Sequence, residues 1–294
     1  MKGRGISAGY LYILPLVLGV TAFTLYPAVQ VVWMSFQRIE LANISQSRFA
    51  GFENYIGIFT SRDPDFQSIL RITLSFVFCS VFFHIIIGLG LALLLNIPWI
   101  HGTRILRNFY MLPWIAAGII VGYTWGFLFE PRTGLLNYLL SLLNLPPKAW
   151  TSDVNLALPS IIVANIWRGV PYSLIIQTSG LKSIDPELYE AAYVDGAGAV
   201  QRLVRITLPL IKEFVLLNLI LDTGMTFHVF DTIFAMTAGG PLYRTETFSV
   251  YMYHQGFTFG NLGRGSAVGV LLLLVSLVIA FLYLRFLRER SRNV

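Results

Sequence analysis

The sequence is poor in charged residues. Asp, Glu, Lys and Arg make up 12% of its 294 residues, well below the roughly 25% of an ordinary soluble domain. Hydrophobic residues make up 55%, and the mean hydropathy is +0.67. Several uncharged runs reach the length of about 20 residues that a helix needs to cross a bilayer. The sequence therefore predicts an all-α integral membrane protein rather than a soluble domain.

Cysteine pairs, nucleotide motifs and metal clusters are missing as well. Cys79 is the only cysteine, which excludes an intramolecular disulfide. No G-x-x-x-x-G-K-[ST] motif is present, and residues 196–198 (Gly-Ala-Gly) lack the following Lys and Ser or Thr that hold phosphate and Mg²⁺. No cluster of His, Cys, Asp and Glu has metal-ligand spacing, and no function is assigned to the lone His84. We expect that the chain binds no metal or cofactor and is not itself an enzyme.

The apolar runs predict about six transmembrane helices. They lie at approximately residues 10–36, 72–95, 108–129, 156–181, 214–236 and 266–284. The fifth is the weakest, because Asp222, His228 and Asp231 interrupt its apolar pattern. Residues 38–71 contain acids and bases in balance and are predicted to form an external loop. Together the helices are expected to form a single transmembrane domain over residues 1–294.

The net charge of +6 does not indicate nucleic-acid binding, because the basic residues are scattered between the apolar runs and concentrate at their ends. Six crossings place both termini on the same side. Twelve of the 21 basic residues fall on that side, and they are Lys2, Arg4, Arg104, Arg107, Lys182, Arg202, Arg205, Lys212, Arg285, Arg288, Arg290 and Arg292. Since positively charged loops stay in the cytoplasm, we expect both termini to be cytoplasmic.

The segment 182–212, between the predicted fourth and fifth helices, has the start and stop signals of a short helix. Asp185 can cap that helix, and Pro186 suits its first position. Gly196 can adopt the left-handed conformation that follows a helix end. A second helical stretch is predicted at residues 199–208. We therefore expect a rigid helical projection on the cytoplasmic side.

This loop resembles the EAA loop of the inner-membrane permeases of binding-protein-dependent ABC importers. The matching residues are Glu190, Ala191, Ala192, Gly196, Ile206, Leu208 and Pro209. All of them stand at the family's spacing, and a chance match should be rarer than roughly one in a million. Weaker similarities to the carbohydrate-uptake branch, which includes maltose, glycerol-phosphate and trehalose permeases, are found at Leu14-Pro15, Tyr26-Pro27, Gly51-Phe52-Glu53-Asn54-Tyr55 and Gly239-Gly240-Pro241.

The resemblance implies a permease that forms half of the pathway for a sugar-like solute in a bacterial or archaeal cytoplasmic membrane. The implied partners are a second, similar permease subunit, a pair of ATPase subunits with Walker motifs that hold ATP and Mg²⁺, and an extracytoplasmic solute-binding protein. The helix from Glu190 to Gly196, including Asp195, would dock on the ATPase. Glu190 would supply a charge there, Ala191 and Ala192 would permit close contact, and Gly196 would set the turn. The alternative is an ordinary loop helix without a docking role.

Ionisable residues inside a bilayer are costly and usually face a cavity or a partner. Arg168, Asp222, His228 and Asp231 are therefore candidate pathway residues. For Arg168, an internal ion pair with Asp222 or Asp231, or contact with a neighbouring subunit, is an equally weighted alternative. Further candidates, which could offer hydrogen bonds or flat apolar faces to a sugar, are Asn165, Trp167, Tyr172, Gln177, Thr226, Phe227, Phe230, Tyr123 and Trp125. For each aromatic residue, helix packing or the membrane interface is the alternative role.

Two other functions remain open from the residues alone. A secondary transporter could use Asp222, His228 or Asp231 to bind a coupling ion or proton, but no inverted repeat is evident and the EAA-like loop would have no role. A membrane-bound enzyme could use the same residues as acid and base. That alternative predicts product formation by the isolated chain.

Overall fold

The structure is a computed structural model that describes residues 4–61, 64–97 and 103–291. Two basic residues used to predict the topology, Lys2 and Arg292, lie outside these ranges, as do residues 62–63 of the predicted external loop. Within the described part of the chain, regular structure is helical apart from one pair of short strands. The predicted all-α class is therefore confirmed.

The elements follow one another along the chain without a repeated pattern. They are α1 (Arg4–Val20), α2 (Tyr26–Ser35), β1 (Gln37–Arg38), β2 (Arg48–Phe49), α3 (Glu53–Thr60), α4 (Phe66–Leu95), α5 (Thr103–Ile115), α6 (Gly118–Leu128), α7 (Leu135–Leu142), α8 (Ala157–Lys182), α9 (Pro186–Val194), α10 (Ala199–Arg202), α11 (Leu208–Phe227), α12 (Asp231–Thr237), α13 (Phe248–Tyr253) and α14 (Leu262–Ser291). Three π-helical segments interrupt this succession, at Thr21–Leu25, Leu203–Thr207 and His254–Thr258.

The chain divides into two compact units, and the first contains residues 1–66 and 251–275. In this unit β1 and β2 pair in antiparallel fashion. The Asn54 side chain at the start of α3 donates hydrogen bonds to the main-chain oxygens of Ser35 and Gln37, each at 2.8 Å. These bonds attach α3 to the end of α2. The segment predicted as an external loop thus contains a strand pair and a helix held by buried polar contacts.

The second unit contains residues 67–250 and 276–294, and in it α4 and α8 approach each other at glycines. A Cβ added to Gly88 would lie 2.6 Å from the Ser173 side chain, and one added to Gly169 would collide with the His84 ring. His84 precedes Gly88 just as Gly169 precedes Ser173, so α4 and α8 run in the same direction. Contacts between small residues of this kind are typical of helix packing in membranes.

A buried polar contact joins α4 and α8 to α11. His84 Nδ1 lies 2.9 and 3.1 Å from the two carboxylate oxygens of Asp222, and His84 Nε2 lies 3.0 Å from the main-chain oxygen of Asn165. His84 is 1% exposed and Asp222 is 4% exposed. The Asp222 carboxyl group and the Asn165 main-chain oxygen thus provide a partner for each ring nitrogen of the buried His84. This mutual pairing makes the burial of both side chains tolerable.

The predicted third span, residues 108–129, is not one continuous helix. It consists of the end of α5 and all of α6, and the two helices are bent by 100° at Ala116 and Ala117. Pro113 lies in the last turn of α5, where its ring and missing N–H weaken the helix. Sequence hydropathy cannot detect this break, because the residues on both sides of it are apolar.

Beyond the bend, helix α6 packs against α12. Thr232 Oγ1 donates a hydrogen bond to the Gly118 carbonyl oxygen at 3.1 Å. A Cβ added to Gly122 would lie 2.6 Å from the Ala235 side chain and 2.8 Å from the Thr232 carbonyl oxygen. The glycine surface of α6 therefore determines how closely α12 approaches.

The fifth span, predicted at residues 214–236, also differs from the structure. Helical structure continues without interruption from Ala199 to Phe227 through α10, the π segment and α11. Pro209 does not end it: a π-helical segment, Leu203–Thr207, directly precedes Leu208 and Pro209, and the α-helix continues beyond them. The helix breaks instead at residues 228–230, and α12 begins at Asp231.

Three helical stretches among the described residues are long and apolar enough to cross a bilayer. They are Tyr12–Ser35, Phe66–Leu95 and Leu262–Tyr283, and the bent pair of α5 and α6 adds a fourth if it counts as one crossing. Helices α8 and α11 have 26 and 20 residues, enough to span about 30 Å. Polar residues such as Arg168 and Asp222 lower their hydropathy. The count of six crossings stays a prediction.

Replacement of Gly122 by Ala is expected to destabilise the protein, because the new methyl group would overlap α12. Overpacking of this kind costs about 1–3 kcal/mol. Gly126→Ala in the same helix is the matched control, since nothing lies within 4 Å of the carbon it adds, and Ala is favoured over Gly in helices by up to about 1 kcal/mol. In one detergent, the melting temperature should fall only for Gly122→Ala. Equal melting temperatures would contradict the close contact.

Removal of either partner of the buried ion pair should be costly. His84→Gln or Asp222→Asn would leave one buried group without its partner, at a cost of about 3–5 kcal/mol. The double variant should lose clearly less than the sum of the two, because it leaves no uncompensated charge. Thermal unfolding of the four proteins in the same detergent measures this coupling. Strictly additive losses would show that the two side chains do not stabilise each other.

Candidate functional site

A cavity of about 280 Å³ lies in the second unit between α4, α5, α8 and α11, at the break before α12. Six of the predicted pathway residues line it, and they are Asn165, Arg168, Tyr172, Thr226, His228 and Asp231. Asp222, named among the ionisable candidates, lines it too. Two of the helices that were predicted to be continuous are broken at this point, so residues far apart in the sequence meet around one space.

The buried ion pair forms one wall of the cavity. His84, Asp222 and Asn165 all line it, and Thr226 Oγ1 lies 3.3 Å from a carboxylate oxygen of Asp222. The His84 ring and the Thr226 hydroxyl thus both engage the Asp222 carboxylate. The alternative ion pair between Arg168 and Asp222 is not formed within 4.0 Å among the described residues.

Arg168 and Asp231 lie on either side of Gly118, the first residue of α6. A Cβ added to Gly118 would collide with the Asp231 carboxylate and would lie 2.9 Å from Arg168 Nη1. In the part of the chain that the structure describes, neither charged group has an oppositely charged partner within 4.0 Å. The alternative ion pair between Arg168 and Asp231 is thus not formed within 4.0 Å. Both residues line the cavity.

The aromatic candidates divide into two groups. Tyr172 stacks on Trp114, with ring centroids 5.7 Å apart and planes inclined by 21°, and both residues line the cavity. Trp125 and Trp167 instead pack against each other at 6.0 Å. They are not among the residues that line the cavity, and neither is Tyr123, which is 57% exposed. For these three residues the role in the pathway stays a prediction.

Three further residues named as sugar contacts also lie off the cavity lining. Gln177 is fully buried and its Nε2 donates to the Ile85 carbonyl oxygen at 3.0 Å. Phe227 is buried and Phe230 stacks on Phe234. Their side chains serve contacts between and within helices, which their residue type alone could not distinguish from solute contacts.

Sequence reasoning missed His84 and Trp114 as cavity residues. A single His within an apolar run carries no ligand spacing, and so it received no function. The sequence does contain one signal for His84. A basic side chain inside a bilayer needs an acidic partner, because neither charge is stable alone there. Which acid pairs with His84 could not be inferred, since 138 residues separate it from Asp222.

The predicted helix in the segment 182–212 is present as α9. The Asp185 side chain accepts a hydrogen bond from the Glu187 N–H at 3.0 Å, and Pro186 is the first residue of the helix. Gly196 has a φ of +76°, the left-handed conformation that the sequence predicted for it. The local signals therefore sufficed for this helix.

The residues of the EAA-like motif lie on the surface of the loop. Glu190, Ala191 and Asp195 are exposed, and Ala192 is half-buried. A concave surface with a volume of about 410 Å³ lies beside them, and it is lined by Ala192, Asp195, Ala197, Gln201, Arg202, Arg205 and Ile206. The loop thus offers both charges and a depression to a protein partner.

Below this surface α9 is fixed to the helices of the second unit. Tyr189 OH and Thr207 Oγ1 are 2.8 Å apart, and the Tyr189 ring packs on an apolar cluster that includes Leu95, Leu181 and Ile211. Displacement of α9 would therefore have to move or break these contacts.

Known proteins resemble the chain over nearly its full length. It is 34% identical to the trehalose/maltose transport system permease protein MalF of Thermococcus litoralis, over 99% of this chain and 97% of that protein. It also resembles two crystal structures, one of a bacterial ABC transporter involved in the import of the acidic polysaccharide alginate (25% identity, TM-score 0.82, 95% and 94% coverage). The other is a bacterial alginate ABC transporter in complex with alginate pentasaccharide-bound periplasmic protein (26%, 0.83, 97% and 95%).

The family described as binding-protein-dependent transport system inner membrane component matches residues 72–292. This range contains the cavity residues from His84 to Asp231 and the whole segment 182–212. The chain therefore belongs to the family of inner membrane components of binding-protein-dependent transport systems.

Proposed function

We propose that the chain lines half of the pathway for a sugar-like solute in an ATP-driven importer. As a member of its family it is the permease component of such an importer and not the ATPase. The observation that carries the proposal is the cavity, where Arg168, Asp231 and Asn165 offer hydrogen bonds beside the stacked rings of Trp114 and Tyr172. Sugars need both kinds of contact, since their hydroxyls bond in the ring plane and their C–H groups rest on flat faces.

The relatives support a sugar-like solute. One is named for trehalose and maltose, and two structures are named for alginate. The second of those structures includes a periplasmic protein that carries the solute. We infer a solute-binding protein of the same kind for this chain. Family membership does not favour the alternative of an ion- or proton-coupled secondary transporter.

A second permease subunit would form the other half of the pathway. An ATPase pair that binds ATP and Mg²⁺ would dock at the segment 182–212, with Glu190, Ala191, Ala192, Asp195 and Gly196 in the contact. The exposure of this motif and the firm attachment of α9 through Tyr189 support that role. With the docking loop in the cytoplasm, both termini of a six-helix chain are cytoplasmic.

The composition of the purified assembly tests the proposal as a whole. Gentle detergent extraction of the tagged chain from its own membrane should recover a second permease and an ATPase with Walker motifs, and mass spectrometry identifies both. Recovery of the chain alone, together with uptake that is driven by an ion gradient, would contradict the importer and favour the secondary transporter.

Reversal of the charge at Glu190 tests the docking role. Glu190→Lys should leave the fold intact, because the side chain is exposed, but should reduce sugar uptake at least about tenfold by placing a repulsive charge in the interface. Glu213→Lys makes the same charge change at an exposed position of α11 outside the motif. Uptake into proteoliposomes of the assembled importer is the measurement. Normal uptake by Glu190→Lys would exclude a docking role for this residue.

A further inference from the structure

The charges that face the cavity form two pairs, one closed and one open. His84 and Asp222 form the closed pair. Both carboxylate oxygens lie within 3.1 Å of His84 Nδ1, and Nε2 is bonded to the Asn165 main chain. This pair has no net charge, and its charged atoms are already engaged. The closed pair therefore exerts little electrostatic force on a solute in the cavity.

Arg168 and Asp231 form the open pair. They flank Gly118 closely, yet in the described part of the chain each is without an ion-pair partner within 4.0 Å. A hydroxyl group can bond to both kinds of group at once, because it accepts from a guanidinium and donates to a carboxylate. The side-chain Nδ2 of Asn165 is a further donor at the cavity, since it is buried and has no partner among the described residues.

Two further titratable side chains line the cavity, Tyr172 and His228. Tyr172 stacks on Trp114, and His228 is exposed. Lining groups on α5, such as Trp114, carry no charge. Among the lining residues outside the closed pair, Asp231 is the acidic side chain and Arg168 is the permanently charged base.

We propose that this cavity accepts uncharged sugars and that Asp231 disfavours acidic ones. A carboxylate on the solute would be attracted by Arg168 but repelled by Asp231 beside it, and it could not donate a hydrogen bond to Asp231. A neutral sugar satisfies both groups through its hydroxyls and rests its ring on Trp114 and Tyr172. The inference depends on the proposed function. Family membership leaves the matter open, since relatives are named both for trehalose and maltose and for an acidic polysaccharide.

A matched pair of solutes tests the inference on the assembled importer in nanodiscs, with its ATPase and second permease but without the binding protein. The probes are radiolabelled trehalose and the same disaccharide with both C6 hydroxymethyl groups oxidised to carboxylates. The wild-type complex should bind trehalose at least about tenfold more tightly than the acid. Equal or tighter binding of the acid would overturn the inference.

Asp231→Asn identifies the residue responsible. It should raise the affinity for the acid about tenfold while trehalose binding weakens or stays level, because repulsion is removed and one acceptor oxygen remains. Glu213→Gln also removes an exposed carboxylate but lies outside the cavity, and it should change neither affinity. An unchanged melting temperature shows that the Asp231→Asn complex is intact.

If the complex with Asp231→Asn does not assemble, Arg168→Gln provides an independent test. It should weaken binding of the acid further, since Asp231 then stands alone. An unchanged preference in both variants would show that the open pair does not select the solute. If the wild-type complex hydrolyses ATP but binds neither sugar, the sugar-like solute of the proposed function is wrong, and the inference falls with it.

Discussion

The contact between His84 and Asp222 is the constraint around which the second unit is arranged. An ionisable side chain without a partner in the interior of a bilayer protein is costly, so the buried His84 and Asp222 are stable only together. Their pairing fixes α4 to α11, and the bond from His84 Nε2 to the Asn165 main chain fixes both to α8. Gly169 makes the arrangement possible, because any side chain there would displace the His84 ring.

The cavity follows from this arrangement. With Asp222 held by His84, Arg168 on α8 has no acidic partner in the described chain and remains at the cavity surface. The bend between α5 and α6 and the break between α11 and α12 then bring Gly118 and Asp231 next to it. If the third helix were continuous, Gly118 would not stand at a helix end. The close approach of Asp231 to Gly118 depends on the break between α11 and α12. The polar residues of these helices and the two helix breaks thus meet at one place, the cavity.

Local features were predictable from the sequence, whereas pairings were not. The Asp185 cap, the first-position Pro186 and the left-handed Gly196 depend on neighbouring residues only, and the structure shows each of them. Six pathway candidates line the cavity for a similar reason, since a polar residue in an apolar helix must face something polar. Two pairings depend on helix directions that hydropathy does not encode. One is the contact of His84 with Asp222, and the other is the packing of Trp125 against Trp167. The break at Ala116 and Ala117 was missed because both sides of it are apolar.

The continuity of helical structure from Ala199 to Phe227 gives the proposed coupling a physical route. The sequence predicted a stop before Pro209, which would have separated the docking loop from the fifth helix. Instead Thr207, which bonds to Tyr189 of α9, stands on the same helical run as Asp222. At about 1.5 Å per residue the two positions are about 22 Å apart along one axis. If α9 moves with the ATPase as proposed, a displacement would pass along a single helix to the carboxylate that holds His84, which lines the cavity.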